Sequence, residues 1–256
     1  MILARRVAMG TAQLDSVHSA VVIRGIDVPP PKHTVQAVDR MGGFGQRVTG
    51  DHWNTQDVVV SFAIDLPKGQ TAARRAAFGA VCAWAENGVP GWLSCSEYTG
   101  KRIRVEKAML PESADMWKWT DEFKITFRAY SAPYWQDAEG VSAANGSIAV
   151  PGHMTTVCGA EITNGTGSTI DSLTVTAGDS QLVFASLGLA SGEKLIIDHQ
   201  DNGLLWMRIK DTSNNFRDAH GKRTSASSDD LYVEPGTRSV SASAGTASFW
   251  TYGRYY

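Results

Sequence analysis

Ser227-Ser-Asp-Asp-Leu-Tyr-Val-Glu-Pro-Gly236 combines a short apolar strand with a strong turn signal. Leu231 and Val233 alternate with polar neighbours, which is typical of a strand that buries one face. Pro235 fixes its φ angle at about −65° and Gly236 tolerates a positive φ, so this pair reverses the chain between paired strands. The stretch leads into the aromatic-rich segment Phe249–Tyr256, and we expect both to complete one β-domain.

The C-terminal half of the sequence consists of short apolar segments separated by turn signals such as Asn164-Gly165 and Ser191-Gly192. A series of short strands without a helix indicates a β-sandwich or jelly roll. The predicted strands are Val157–Asn164, Ser172–Ala177, Gln181–Phe184, Lys194–Asp198, Leu204–Lys210, Leu231–Val233, Arg238–Ala244 and Phe249–Tyr255.

The N-terminal half contains a long segment, residues 40–66, that begins with Gly42-Gly-Phe-Gly45 and ends in a clear alternation. Its apolar residues fall at every second position: Val58, Val60, Phe62, Ile64 and Leu66. A period of two predicts a strand with one buried or partner-facing side. We therefore expect residues 40–66 to form a long hairpin or arm.

One segment favours a helix. Thr71 is a candidate N-cap and Asn87-Gly88 supplies a stop signal,. The residues predicted to share one helix face are Ala73, Ala77, Val81 and Trp84. A lone helix between strands usually covers one face of a sheet, so we expect Trp84 to lie in the core.

Strands resume after the helix at Gly91–Tyr98, Arg102–Met109 and Glu122–Tyr130. The stretch that follows is rich in Ala, Gly, Ser and Asn, which is typical of a linker. The sequence therefore predicts a mainly β protein with an N-terminal domain over residues 1–138, a linker over 139–152 and a C-terminal sandwich over 153–256.

Composition excludes several classes of function. The formal net charge is −2, with 24 Lys and Arg against 26 Asp and Glu, so nothing predicts a specific nucleic-acid interface. The apolar run at the start of Met1-Ile-Leu-Ala-Arg-Arg6 is too short for a signal peptide or a membrane span,. Three cysteines without a CxxC pair do not indicate a disulfide framework,. We expect a protein that folds in a cytoplasm.

The candidate catalytic and metal-binding groups of the sequence also fit structural roles. Asp198-His-Gln-Asp-Asn-Gly203 could be a calcium loop or an acid–base pair, but its Asn-Gly favours a hairpin turn,. Asp229 and Asp230 are adjacent, so in a strand they would point to opposite faces and could not flank one bond. The histidines show no metal-ligand spacing and no serine lies in a nucleophile elbow,. We predict no catalytic residue, metal or cofactor.

The last predicted strand raises the question of sugar binding. Trp250 and Tyr252 lie on one face of it and Phe249 and Thr251 on the other,. An exposed ring could stack on a sugar, which makes Trp250 and Tyr252 candidate carbohydrate contacts. Core packing or subunit contact is the alternative interpretation, and we favour it.

The order of these elements resembles the distal tail protein (Dit) family of long-tailed bacteriophages. The segments that carry the resemblance are Phe127-Arg-Ala-Tyr-Ser-Ala-Pro-Tyr-Trp135, Gly192-Glu-Lys-Leu-Ile-Ile-Asp198 and Leu231-Tyr-Val-Glu-Pro-Gly236. The resemblance extends over nearly the whole chain. It implies an N-terminal ring-forming domain followed by a galectin-like sandwich.

The resemblance also implies a function. Six copies would form a ring at the phage tail tip that joins the tail tube protein to the tape-measure or tail-tip (Tal-like) protein and to receptor-binding proteins, while DNA passes through the lumen. The hairpin would act as a belt onto the next subunit, which makes Val58, Val60, Phe62 and Ile64 candidate contacts. The expected location is the virion, after assembly in the host cytoplasm.

Two alternatives remain at this point. One is a carbohydrate-binding module that contacts the host surface, and the other is a tail-tube subunit with an appended domain. The dedicated C-terminal sandwich favours the tail hub over both.

Overall fold

The computed structural model describes residues 5–30, 33–39, 46–111, 122–200 and 204–256, with backbone only for residues 33–39 and 46–53. The chain divides into two compact units, residues 1–136 with Tyr256, and residues 137–255. No helix in these described ranges is both long and apolar enough to cross a membrane.

The first unit contains eleven strands and one α-helix within the described ranges. Its strands are β1 (Val7–Met9), β2 (Ala12–Gln13), β3 (Val21–Asp27), β4 (His33–Asp39), β5 (Gln46–Trp53), β6 (Gln56–Ile64), β7 (Gly91–Cys95), β8 (Lys101–Val105), β9 (Lys107–Met109), β10 (Glu122–Ala129) and β11 (Trp135–Asp137), the last residue of which begins the second unit. The helix α1 spans Thr71–Asn87. Single 3-10 turns occupy Leu14–Ser16 and Ser96–Tyr98.

These strands form three sheets. One has the order β3-β6-β10-β9, a second has the order β2-β1-β7-β8-β11, and β4 pairs with β5 in a separate hairpin. The alternation predicted for residues 58–66 is confirmed in β6, where Val58, Val60 and Phe62 are fully buried. Phe123 and Phe127 of β10 are buried as well, and the ring of Phe123 stacks on that of Phe62 at 5.4 Å.

Helix α1 covers this core. Trp84 is buried as predicted, and its ring meets Phe127 edge-on at 5.8 Å while its indole N–H donates to the carbonyl of Ala12 at 3.0 Å. The predicted helix face was wrong at one position, because Arg74 is fully buried while Ala73 is only half-buried. The Arg74 guanidinium donates to the carbonyl of Leu66 at 2.6 Å and to that of Ile64 at 3.3 Å. The charged Arg74 side chain thus satisfies backbone carbonyl groups at the end of β6.

The second unit is an antiparallel β-sandwich, which confirms the predicted architecture. Its strands are β12 (Val141–Ala144), β13 (Gly146–Val150), β14 (Thr156–Thr163), β15 (Leu173–Ala177), β16 (Ser180–Phe184), β17 (Lys194–His199), β18 (Leu205–Lys210), β19 (Phe216–Asp218), β20 (Tyr232–Val233), β21 (Gly236–Ala242), β22 (Thr246–Thr251) and β23 (Arg254–Tyr255), with a 3-10 turn at His220–Lys222. One sheet has the order β12-β22-β14-β17-β18-β19, with β20 also on β14, and the facing sheet has the order β13-β21-β15-β16.

The predicted linker over residues 139–152 is wrong, because most of it forms β12 and β13. Gly146, at φ +137°, lets the chain pass from one sheet of the sandwich to the other. Between the two strands, the side-chain oxygen of Asn145 accepts a hydrogen bond from the Ala242 N–H at 2.9 Å. The small residues of this segment therefore allow the chain to cross between the two sheets and do not form the predicted linker.

The Gly192–Asp198 segment contains a buried carboxylate that joins two strands. Glu193 is 8% exposed, and its carboxylate accepts bonds from Arg217 Nη2 at 2.6 Å and from the Ala190 N–H at 2.7 Å. Hydrogen bonding to Arg217 holds the pKa of the Glu193 carboxyl below its usual range, although burial acts in the opposite direction. The pair ties the start of β17 to β19.

Replacing Arg74 by Met should lower the free energy of unfolding by about 1–3 kcal/mol, because the carbonyls of Ile64 and Leu66 lose a buried donor. Arg75→Met is the matched control, since Arg75 is the exposed neighbour on the same helix. Chemical denaturation of both variants measures the difference. Equal stability of the two variants would contradict the structural role of Arg74.

Replacing Glu193 by Gln should make stability less dependent on acid pH. Because folding lowers the Glu193 pKa, the ionised group stabilises the protein above its unfolded pKa of about 4.3, and this contribution disappears as the pH falls through the lower, folded value. Denaturation between about pH 5 and pH 3 should show a shallower loss for Glu193→Gln and a lower starting stability at neutral pH. Glu161→Gln is the control, because it removes a carboxylate from a more exposed ion pair with Lys194,.

Candidate assembly surfaces

The hairpin of β4 and β5 is the first candidate surface. The strands run antiparallel from the pair His33 and Trp53 to the pair Asp39 and Gln46, with a register shift after Gln36. Eight extended residues span about 27 Å. Among the described strands, these two pair only with each other. Each outer edge therefore presents backbone N–H and C=O groups that another chain can pair with.

Hydrogen bonds connect the segments on either side of this hairpin. Gln56 is 2% exposed and its side-chain amide donates to the carbonyl of Pro29, so it joins the segment before β4 to the segment after β5. Next to it, the Asp57 carboxylate accepts two bonds from Arg128, at 2.6 Å from Nε and 2.8 Å from Nη2. Hydrogen bonds thus connect the segments on either side of the hairpin to each other and to β10.

The hairpin in the structure consists of β4 and β5, so it lies earlier in the chain than the arm predicted over residues 40–66. Its second strand, β5, ends at Trp53, whereas β6 is a central strand with neighbours on both edges. Residues 40–45, including Gly42-Gly-Phe-Gly45, lie outside the described ranges. The four candidate belt contacts are at most 2% exposed: Val58, Val60, Phe62 and Ile64. They form the core of the first unit, so a partner subunit could not reach them.

The face of the sandwich that carries Trp250 is the second candidate surface. Trp250 is half-buried, and its indole lies directly over Gly159 on the neighbouring strand, where an added methyl group would overlap the ring. Tyr252 is half-buried too, and its ring approaches Gly140. Both rings are packed on glycines of their own unit, which fits the packing interpretation better than a free sugar platform.

An aromatic and cationic group on the same sheet was not predicted. The Arg208 guanidinium lies 4.0 Å from the centre of the Trp206 ring, and Lys210 lies 6.0 Å from the ring of Phe216, which is 48% exposed. Cation–π contacts of this kind stabilise by about 0.5–1 kcal/mol at exposed sites. The alternation of Trp206, Arg208 and Lys210 in the sequence could have predicted an aromatic and cationic group on one face of the strand. Phe216 joins this group only through the pairing of β18 with β19.

The polar clusters singled out in the sequence have structural roles. His199 Nε2 lies 2.7 Å from Asp230 Oδ1, and that oxygen also accepts the Leu231 N–H at 2.6 Å. The pair joins the end of β17 to the segment before β20, and sequence reasoning missed it because the two residues are far apart in the chain. Residues 201–203, which the sequence predicts to form a turn, lie outside the described ranges. The Gln200 N–H before them donates to the Leu204 carbonyl after them at 2.9 Å. No cluster of three metal-ligating side chains occurs among the residues described.

Replacing Gly159 by Ala should displace the Trp250 indole and destabilise the protein by about 1–3 kcal/mol, as overpacking does. Gly167→Ala is the matched control, because a methyl group there meets no atom within 4 Å. Thermal unfolding followed by tryptophan fluorescence measures both the stability and the environment of the ring. Unchanged fluorescence and stability in Gly159→Ala would contradict the packing described.

Comparison with known proteins gives a match in structure alone. No family model matches the sequence, and no curated protein matches it. The Dit protein of phage SPP1, described as a paradigm of the hub adsorption apparatus in phages that infect Gram-positive bacteria, matches with a TM-score of 0.73 at 10% identity, covering 98% of this chain and 99% of that one.

Two structures of the phage P2 baseplate in its activated conformation also match. The one with Ca gives a TM-score of 0.54 at 9% identity over 98% of both chains. The one with Sr gives 0.53 at 9% identity over 97% of both chains. The chain therefore has the fold of the Dit-like hub proteins of bacteriophage tails.

Proposed function

We propose that this chain is the distal tail hub of a bacteriophage, a ring that joins the tail tube to the tail tip or baseplate and to host-adsorption proteins. The observation that carries the proposal is the likeness to the SPP1 hub protein, which covers nearly all of both chains at a TM-score of 0.73. Full coverage matters because it includes both units rather than one common β-sandwich.

The hairpin of β4 and β5 gives this proposal a physical basis. Rings are built from head-to-tail interfaces in which one surface of a subunit meets a different surface of the next. A two-stranded hairpin is marginally stable by itself in water, so this one would be stabilised if a neighbouring subunit paired with its edge. The ring is proposed to contain six copies, with the hairpin as the belt between them.

The remaining partners follow from the position of such a ring. The first unit would bind the tail tube protein on one side and the tape-measure or tail-tip protein on the other, and the sandwich would hold receptor-binding proteins. A net charge of −2 suits a channel through which DNA passes without being held. The proposed location is the virion tail tip, after assembly in the cytoplasm of the host, and the proposed role is structural rather than enzymatic.

Deletion of the arm tests the ring. Light scattering of the intact chain should give the mass of six 27.6 kDa chains, and negative-stain images should show an open centre. A variant in which residues 34–52 are replaced by a short Gly-Ser connection should be monomeric, because it lacks the belt. Circular dichroism and an unfolding curve establish that both units of the variant still fold.

The outcomes separate the two parts of the proposal. A hexamer that survives the deletion would contradict the belt and leave the ring intact. An intact chain that stays monomeric at high concentration, and that does not form rings with its tail tube protein, would contradict the ring itself. Phe216→Ala serves as a surface-substitution control in the sandwich and should leave the mass unchanged.

A further inference from the structure

A small pocket lies on the sandwich beside the stretch Ser227–Gly236, and the proposed hub role does not use it. Its cavity volume is about 260 Å³. The side chains that matter to its chemistry are Asp179, Ser180, Ser228, Tyr232, Glu234 and Arg238. Ser228, Tyr232 and Glu234 belong to the 227–236 stretch, Asp179 lies in the turn between β15 and β16, and Ser180 is the first residue of β16.

Tyr232 is held firmly by its backbone, while its side chain remains open to solvent. Its N–H donates to the Ser180 hydroxyl at 2.8 Å, and that hydroxyl lies 2.9 Å from the Tyr232 carbonyl. Ser180 is 6% exposed, whereas Tyr232 is 41% exposed. Strand β20 also pairs with β14. An aromatic ring on such a fixed backbone loses little conformational entropy when a ligand packs against it.

Hydrogen bonds and tight turns order the two segments that carry the polar groups of the pocket. Arg238 Nη2 donates to Glu234 Oε2 at 2.8 Å, and the turn between them contains Gly236 at φ +97°. Asp179 follows Gly178, whose φ of +56° forms the tight turn between β15 and β16. Ser228 accepts the Gln181 N–H at 3.0 Å, which joins the two segments that line the pocket. Hydrogen-bond donors and acceptors from both segments therefore line the same pocket.

The chemistry of the lining selects the class of ligand. Two carboxylates against one guanidinium disfavour an anion. The Glu234 carboxylate is already paired with Arg238, and the described residues offer no cluster of three metal ligands, which disfavours a divalent cation,. A neutral sugar ring satisfies every group, because its hydroxyls both donate and accept while its C–H face packs on an aromatic ring.

We propose that this pocket binds a single neutral saccharide residue, with its C–H face on Tyr232 and its hydroxyls bonded to Asp179, Glu234 and Arg238. The volume lies just below the range of about 300–1,000 Å³ that is usual for drug-sized ligands, so one sugar unit fits better than an extended oligosaccharide. The lining of this pocket includes neither Trp250 nor Tyr252. It requires only the folded sandwich, so it stands whether or not the chain forms a ring.

Saturation-transfer difference NMR of the full chain tests this proposal in either oligomeric state. The probes are the methyl glycosides of glucose, galactose, N-acetylglucosamine and rhamnose, and Nα-acetyl-lysine amide is the cationic probe. At least one glycoside should receive saturation on its ring C–H protons. Tyr232→Ala and Asp179→Asn should each weaken its binding, the former by about tenfold or more. Phe216→Ala, which removes an exposed ring outside the pocket, should leave binding unchanged.

Three results would overturn the proposal. In the first, none of the four glycosides binds. In the second, a glycoside binds equally well to the wild type, to Tyr232→Ala and to Asp179→Asn, which places the sugar elsewhere. In the third, only the lysine derivative binds, which makes the pocket a site for a cationic side chain of a protein partner. Because Asp179 is exposed, Asp179→Asn remains informative even if Tyr232→Ala folds poorly.

Discussion

The need to pair backbone N–H and C=O groups is the constraint on which this structure depends. In the first unit, β6 satisfies it by pairing with β3 on one edge and β10 on the other, which lets its alternating side chains become a core under α1,. The hairpin of β4 and β5 leaves its outer edges without a described partner strand. The same constraint that builds the core thus leaves backbone N–H and C=O groups along the hairpin edges that another strand can pair with.

Buried polar groups fix the ends of the strands in both units. Arg74 closes the end of β6, Gln56 joins the segments on either side of the hairpin, and Glu193 with Arg217 ties β17 to β19. Each of these side chains is hydrogen-bonded, which is the condition under which a polar group can be buried without a large cost. Glu193 lies in the Gly192–Asp198 segment that carries the resemblance to phage hub proteins, so that segment has a structural role.

The aromatic residues on the surface of the sandwich differ in what covers their rings. The Trp250 indole lies on Gly159 and the Trp206 ring lies beneath Arg208, so their faces are partly occupied. Tyr232 differs, because its backbone is hydrogen-bonded to Ser180, the residue is 41% exposed and it lines a polar pocket.

The sequence by itself determined the local elements: the strands β6 and β10, the helix from Thr71 to Asn87, and the series of short strands after residue 153. Their periods of two and 3.6 depend only on neighbouring residues. Sequence could not identify β12, whose small residues Ser142 and Ala143 mimic a linker but lie opposite Trp250 and Phe249. It also placed Val58 and Phe62 at a subunit contact and left Tyr232 unnoticed. Only the tertiary structure decided which face of a strand is covered, because that depends on pairing between residues far apart in the chain.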